Sequence, residues 1–157
     1  MKAMGTTTKT LYDTDFVEWT AHMAELLREG RFDEVDLEHV VEEIEDLGNS
    51  ERSAVWSQLT RMLMHMTKVR IQPERAGASW RSSIVDARRE ITIKIRHSPS
   101  LRRHLEDNLQ EIYRGAVRDA LAETGQEKRG KELGIPAQCP WSLSELLDGD
   151  VSDLETR

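Results

Sequence analysis

The residues of this sequence with the types and spacing for chemistry are Glu43, Glu45, His65, Arg70, Arg75 and Arg81. The first two fall in EHVVEEIEDLGNSER, Glu38 to Arg52, a stretch crowded with acids. At 100° per residue, residues 37–47 centre an apolar stripe between Ile44 and Leu37, with Glu43 and Glu45 on its edges and His39, Glu42 and Asp46 facing outward. Carboxylates at a stripe edge become partly buried on packing and then need partners. The same rotation over residues 53–70 puts Arg70 inside the stripe and His65 on its edge. A guanidinium does not discharge, so Arg70 must reach a carboxylate or snorkel to water. This predicts a structural ion cluster in which Glu43 or Glu45 pairs with Arg70, helped by Arg75 or Arg81. The chemical alternative is a small enzyme whose cleft is lined by Glu43, Glu45, His65 and Arg70, with a carboxylate or His65 as general base. A lone edge histidine also serves as a hydrogen-bonded packing residue.

Other chemistries lack their signatures. A di-iron bundle needs Glu-x-x-His on two helices, and the chain offers only Asp36-x-x-His39 with its histidine expected to face out. His-Glu-x-x-His is absent, so neither a metal nor a cofactor is expected. Arg61 with His65, and Arg89 with His97, miss the spacing of helical nucleases, and there is no Gly-rich phosphate loop or Gly-x-Ser-x-Gly elbow. Cys139, the one cysteine, stands beside Pro140 and reads as a packed thiol. Met62, Met64 and Met66 and the four tryptophans, Trp19, Trp56, Trp80 and Trp141, read as core and anchoring residues.

The elements that must position these residues are helices. Phe16, Trp19, Met23, Leu26 and Leu27 predict a helix over residues 13–29, with Asp13 as cap and Gly30 as stop. Asp36 caps a run whose stripe is Leu37, Val40, Val41, Ile44 and Leu47 and which resumes from Val55 to Val69, making residues 37–71 one long helix or two joined at Gly48. An interior glycine costs about 1 kcal/mol against alanine, which favours continuity with a kink. Pro73 ends it, and Ser79 is expected to cap a helix with Trp80, Ile84, Ala87, Ile91 and Ile95 on one face. Ser98 and Pro99 start another, lined by Leu101, Leu105, Leu109, Ile112 and Ala116 and stopped at Gly125. Ser142 to Asp148 reads as a short terminal helix. No strand alternation or repeat is present. The fold class is all-α, an up-and-down bundle of about four long helices plus a short C-terminal one. One domain is expected over 11–150, with a disordered tail at 1–10 and another tail at 151–157.

The net charge of −7 hides a segregation along the chain. Residues 1–60 hold 14 acids against 5 bases, residues 61–103 hold 3 against 11, and residues 104–157 hold 12 against 6. Acidic and basic faces of this kind dock on each other, within a chain or between copies, so a homo-oligomer or a protein partner is expected. The competing reading is nucleic-acid binding through residues 61–103, where Arg81, Arg89 and Arg96 leave the core face and Arg102 and Arg103 follow. Without a signal-peptide core or an apolar run of membrane-spanning length, a cytoplasmic location is expected and no membrane partner.

YDTDFVEW, EEIEDLG, SQLTRMLMHMTKVRIQPER, the Ser79-Trp80 pair, SPSL, ETG and CPWSLSELLD follow one another in this order over residues 11–150. In these blocks the chain resembles the bacterial domain-of-unknown-function family 29. It departs from that family's pattern at Val69, where an aromatic usually follows the helix lysine, and at Ile135, where Phe usually precedes the loop proline. The resemblance implies an all-helical fold and supplies no activity, substrate or catalytic residue. The reading favoured is an interaction or self-association module; the small enzyme is the alternative.

Overall fold

The computed structural model describes residues 10–154. The predicted N-terminal tail lies, apart from Thr10, outside the described residues. Helix α1 (Leu11–Thr14) and helix α2 (Phe16–Arg28) stand where one helix beginning at Asp13 is expected. The break falls at Asp15, whose extended backbone lets its carboxylate accept from the Glu18 amide at 3.0 Å and cap α2. Gly30, at φ 70°, turns the chain after α2.

Helix α3 (Leu37–Ile71) is unbroken for 35 residues, with Gly48 and Asn49 in its interior. A single turn of 3₁₀ helix at Pro73–Arg75 leads to α4 (Ala78–His97), which is capped by Gly77 rather than by Ser79. Helix α5 (Ser100–Thr124) follows directly and ends at Gly125, φ 66°. Ser142 and Glu145 form a capping box for α6 (Leu143–Asp148), and a further turn, α7 (Val151–Leu154), replaces the start of the expected C-terminal tail. No strand occurs among the described residues.

Where the sequence suggests one domain, the chain divides into two compact units, residues 1–49 and 50–157. The first is a helical hairpin. Its core is Trp19, Met23 and Leu26 of α2, against which Tyr12, Val35 and Val40 pack. The stripe expected to bury the start of α3 is therefore corrected. Only Val40 of that stripe packs on the cluster, while Leu37, Val41, Ile44 and Leu47 are 66%, 46%, 63% and 70% exposed. One 13-residue helix is too narrow to cover a stripe that wide.

The second unit has a well-filled core. Val55, Leu59, Met62, Leu63 and Met66 from α3 interlock with Ile84, Ala87 and Ile91 of α4, with Leu101, Leu105, Ile112 and Ala116 of α5, and with Leu143 and Leu146 of α6. The short connections make α3, α4 and α5 antiparallel neighbours, and Lys94 of α4 pairs with Glu51 of α3 at 2.7 Å. Arg88 fastens α6 by donating from Nε to the Leu147 carbonyl at 2.6 Å and from its terminal nitrogen to the Gly149 carbonyl. A side chain at Gly149 would press on the Glu145 carbonyl, so the clasp needs glycine there.

A core of three buried side chains opens more readily than one of nineteen. Hydrogen exchange followed by mass spectrometry is expected to find amides of residues 16–28 and 37–47 exchanging well before those of 84–91 and 105–116. Equal protection in the two sets would mean that the hairpin is held by more than its own core.

Candidate functional site

In the hairpin, the tight spacing of polar and aromatic residues builds one connected array. Tyr12 lies flat on the His39 ring, centroids 3.9 Å apart, and meets Trp19 edge-on at 4.9 Å. The Tyr12 hydroxyl donates to Glu43 Oε1 at 2.6 Å, and that bond to the carboxylate pushes the phenol pKa up to about 12. On the same turn of α3, His39 Nδ1 and Asp36 Oδ2 are 2.7 Å apart. The hydrogen bond between them raises the His39 pKa and lowers that of Asp36. His39, expected to face outward, is thus turned onto Tyr12 and fixed by a carboxylate. The sequence signal for this contact is the i,i+3 pair Asp36 and His39.

An apolar surface runs beside this array. On α3, Leu37, Val41 and Ile44 lie about 70° round from Val40, the position that faces α2; on α2, Phe16 and Leu27 lie about 60° round, in the same sense, from the buried line of Trp19, Met23 and Leu26. Phe16 (46%), Leu27 (43%), Leu37, Val41 and Ile44 are exposed; Leu37, Val41 and Ile44 share one side of α3, while the Phe16 ring stacks on Trp19 at 5.7 Å and meets Tyr12 edge-on at 5.8 Å. Glu38 and Glu45 border the apolar side of α3 on its far edge and are exposed.

In the second unit the polar centre is Lys68, buried at 8% exposure and not singled out by its sequence position. Its ammonium is paired with Glu123 of α5 and sits 5.4 Å from the centre of the Trp80 ring of α4. This contact joins three of the sequence blocks, those containing Lys68, Trp80 and Glu123. His65 lies one turn before Lys68. Burial chiefly, then Lys68 and Arg61, lower its pKa, and its Nδ1 is enclosed without a hydrogen-bond partner. The neutral imidazole that burial favours suits a base through Nε2, while the enclosed Nδ1 is closed to a substrate proton.

The remaining predicted residues fall as follows. Arg70 is exposed and donates to the Gly134 carbonyl at 3.2 Å, and Arg75, Arg81 and Glu45 are exposed. Glu43 belongs to Tyr12. The cluster expected of Glu43, Glu45, Arg70, Arg75 and Arg81 draws on both units, and within their own units Glu43 bonds Tyr12 and Arg70 bonds the Gly134 carbonyl. Cys139 donates from Sγ to the Trp141 carbonyl at 3.3 Å, and burial raises its thiol pKa, the opposite of what a nucleophile requires. Two grooves open in the second unit, one of ≈ 230 Å³ along Tyr113, Val117, Leu121 and Ile135 and one of ≈ 320 Å³ along Trp56, Thr60, Gly115 and Arg118; neither is lined by His65 or Arg70. Among the described residues no group of three or more His, Cys, Asp and Glu side chains is placed to hold a metal ion. No helix among them is long and apolar enough to cross a membrane.

Helical in all the regular structure of its described residues, the molecule is an all-α protein of the bundle class. The chain belongs to the family described as Domain of unknown function DUF29, whose model matches residues 11–151. It is similar to the crystal structure of an alpha-helical protein of unknown function from Rhodospirillum rubrum, with 26% identity, a TM-score of 0.65, and 94% of this chain and 97% of that one covered. No curated protein matches the chain.

Two outcomes follow from these contacts. His39, raised by Asp36, contributes stability that is complete below the ordinary histidine value near 6.5 and is lost as pH rises through its folded pKa; Asp36, lowered by His39, contributes stability that is lost as pH falls through its own. The pair therefore supports the hairpin most in mildly acidic solution. An NMR titration should give His39 a pKa above that of a free imidazole, returning towards it in Asp36→Asn. At the other centre, Glu123→Ala strands a buried ammonium and should cost about 1–3 kcal/mol, whereas Lys68→Met leaves a half-exposed carboxylate in water and should cost less than about 1 kcal/mol. Urea unfolding of the two variants measures the asymmetry.

Proposed function

We propose that this chain is an interaction module that works by self-association, with the hairpin of residues 10–49 as its contact element. The observation that carries this reading is the exposed apolar side of α3, Leu37, Val41 and Ile44, beside a core of only three buried residues, with Phe16 and Leu27 also exposed on α2. Isolated helices of 13 residues are marginal in water, and a contiguous apolar face on a small element is the mark of a contact surface. Covering that face adds the burial the hairpin lacks, at roughly 25 cal/mol per Å².

The arrangement favours association over catalysis. The hydrogen-bonding groups with shifted pKa values in the hairpin are satisfied by one another, and the buried lysine of the second unit is closed by Glu123 and Trp80. Part of the basic charge of residues 61–103 is also engaged within the chain. Lys68, Arg88, Lys94 and Arg102 engage Glu123, the Leu147 and Gly149 carbonyls, Glu51, and Glu106 with Ser144.

The test is the mass in solution. Sedimentation equilibrium at tens of micromolar should give a mass above that of one 18.0 kDa chain. Ile44→Glu, at a site 63% exposed, should return it to the monomer with its helical circular dichroism intact. A monomer for the unaltered chain at the highest concentration reached would refute self-association.

A further inference from the structure

Resting on that reading, we infer that the occupant of the hairpin face is the outer face of α4 in a second copy of this chain. The hairpin face sets what can cover it. Its centre is aliphatic and aromatic, and its border carries Glu38 and Glu45 in a segment, residues 1–49, that holds 13 acids against 4 bases. A complement must offer exposed apolar side chains with cations around them.

A second hairpin meets only the first requirement. It would bring a segment with a formal excess of nine acidic residues against its equal, and like charges juxtaposed across an interface are repelled. The outer face of α4 meets both. Val85 and Ile93, 50% and 40% exposed, are the exposed large aliphatic residues among those described in the second unit. They stand two turns apart with Arg89 between them on the same side of the helix, at i, i+4 and i+8, and Arg81 and Arg96 flank them.

These cations remain at the surface. Arg89 and Arg96 are exposed, and the ion pair of Arg89 with Asp86, 3.4 Å long with side chains 66% and 46% exposed, is of the kind that contributes little and exchanges readily. By contrast Arg88 and Lys94, on other faces of α4, are already bound to α6 and α3. The basic character of the middle of the sequence is thus divided: some cations hold the second unit together, and those beside Val85 and Ile93 face outward. In the contact, Val85 and Ile93 cover Val41 and Ile44, and Arg89 and Arg96 meet Glu38 and Glu45.

The test separates this assignment from self-association as such. Sedimentation velocity of the full chain between about 50 mM and about 500 mM sodium chloride should record an association that weakens at least about tenfold with salt. Arg89→Glu with Arg96→Glu, both at exposed positions, should weaken it by a similar factor at low salt. Glu38→Arg with Glu45→Arg should do the same, and mixing the two charge-reversed proteins should restore association between them. Val85→Glu should abolish it. If Ile44→Glu dissociates the assembly while the α4 variants and salt leave it unchanged or strengthen it, self-association stands and the assignment to α4 is overturned, hairpin against hairpin being the remaining arrangement. If the unaltered chain is monomeric at every salt concentration, both readings fail together.

Discussion

The structure depends on how the apolar residues along α3 are covered. From Val55 to Val69 the stripe is at most 7% exposed, because α4, α5 and α6 supply side chains that fill the spaces between its own. From Leu37 to Leu47 the sequence repeats the same kind of stripe, but within the hairpin only Val40 meets a core. Since hydrophobic stabilisation follows area removed from water, two stretches of one helix with similar sequence patterns make very different contributions to folding. The second unit has the ingredients of an independently stable bundle. The hairpin has a helix propensity, a few directional contacts and an unspent apolar face.

With so small a core, polar geometry takes over part of the specification in the hairpin. Hydrophobic contact alone would let α2 slide against α3, since apolar surfaces have no preferred register. The Tyr12 hydroxyl on Glu43, the Tyr12 ring on His39 and the Met23 sulfur accepting from the Asp36 amide at 3.3 Å each fix a point along the pair. Asp36 then holds the His39 ring in the plane that stacking requires. In the second unit the same division holds in reverse. A large core provides the stability, and the Lys68, Glu123 and Trp80 contact decides which faces of three helices meet, because a buried ammonium tolerates no other arrangement cheaply.

The helices were legible because their punctuation is chemical: Gly125, read as the stop of its helix, has a left-handed backbone, the short helix read over Ser142 to Asp148 is present, and the residues Leu101 to Ala116 bury the face they trace. The break at Asp15 and the start of α4 at Ala78 were not legible, since several neighbouring residues are capable of capping and only the tertiary position of the next turn selects one. Periodicity likewise predicts which face of α3 is apolar but carries no information about whether anything covers it. That is why the stripe of Leu37, Val41, Ile44 and Leu47 reads as core and is found exposed. For the candidate site, helical rotation gives the angle of a side chain and not its partner: Glu43, read on a stripe edge, accepts from Tyr12, and Arg70, read inside the stripe, is exposed and donates to the Gly134 carbonyl. Lys68 was missed because a lysine in the apolar phase of a helix gives the same pattern whether it snorkels or is buried against a tryptophan.

The division of labour between apolar and charged groups bears on what kind of association such a surface supports. The apolar side chains of the hairpin supply attraction without choosing a partner, since any apolar face of fitting shape lowers the same exposed area. Charge supplies the choice. Acids bordering the apolar face penalise contact with other acidic surfaces, and the chain is acidic overall, so most encounters between copies are discouraged except where the local sign reverses. Such a reversal occurs where the arginines of α4 surround exposed aliphatics. A protein with the same composition but evenly mixed charges would have the same net charge and the same apolar face, and would lack any means of telling one contact from another.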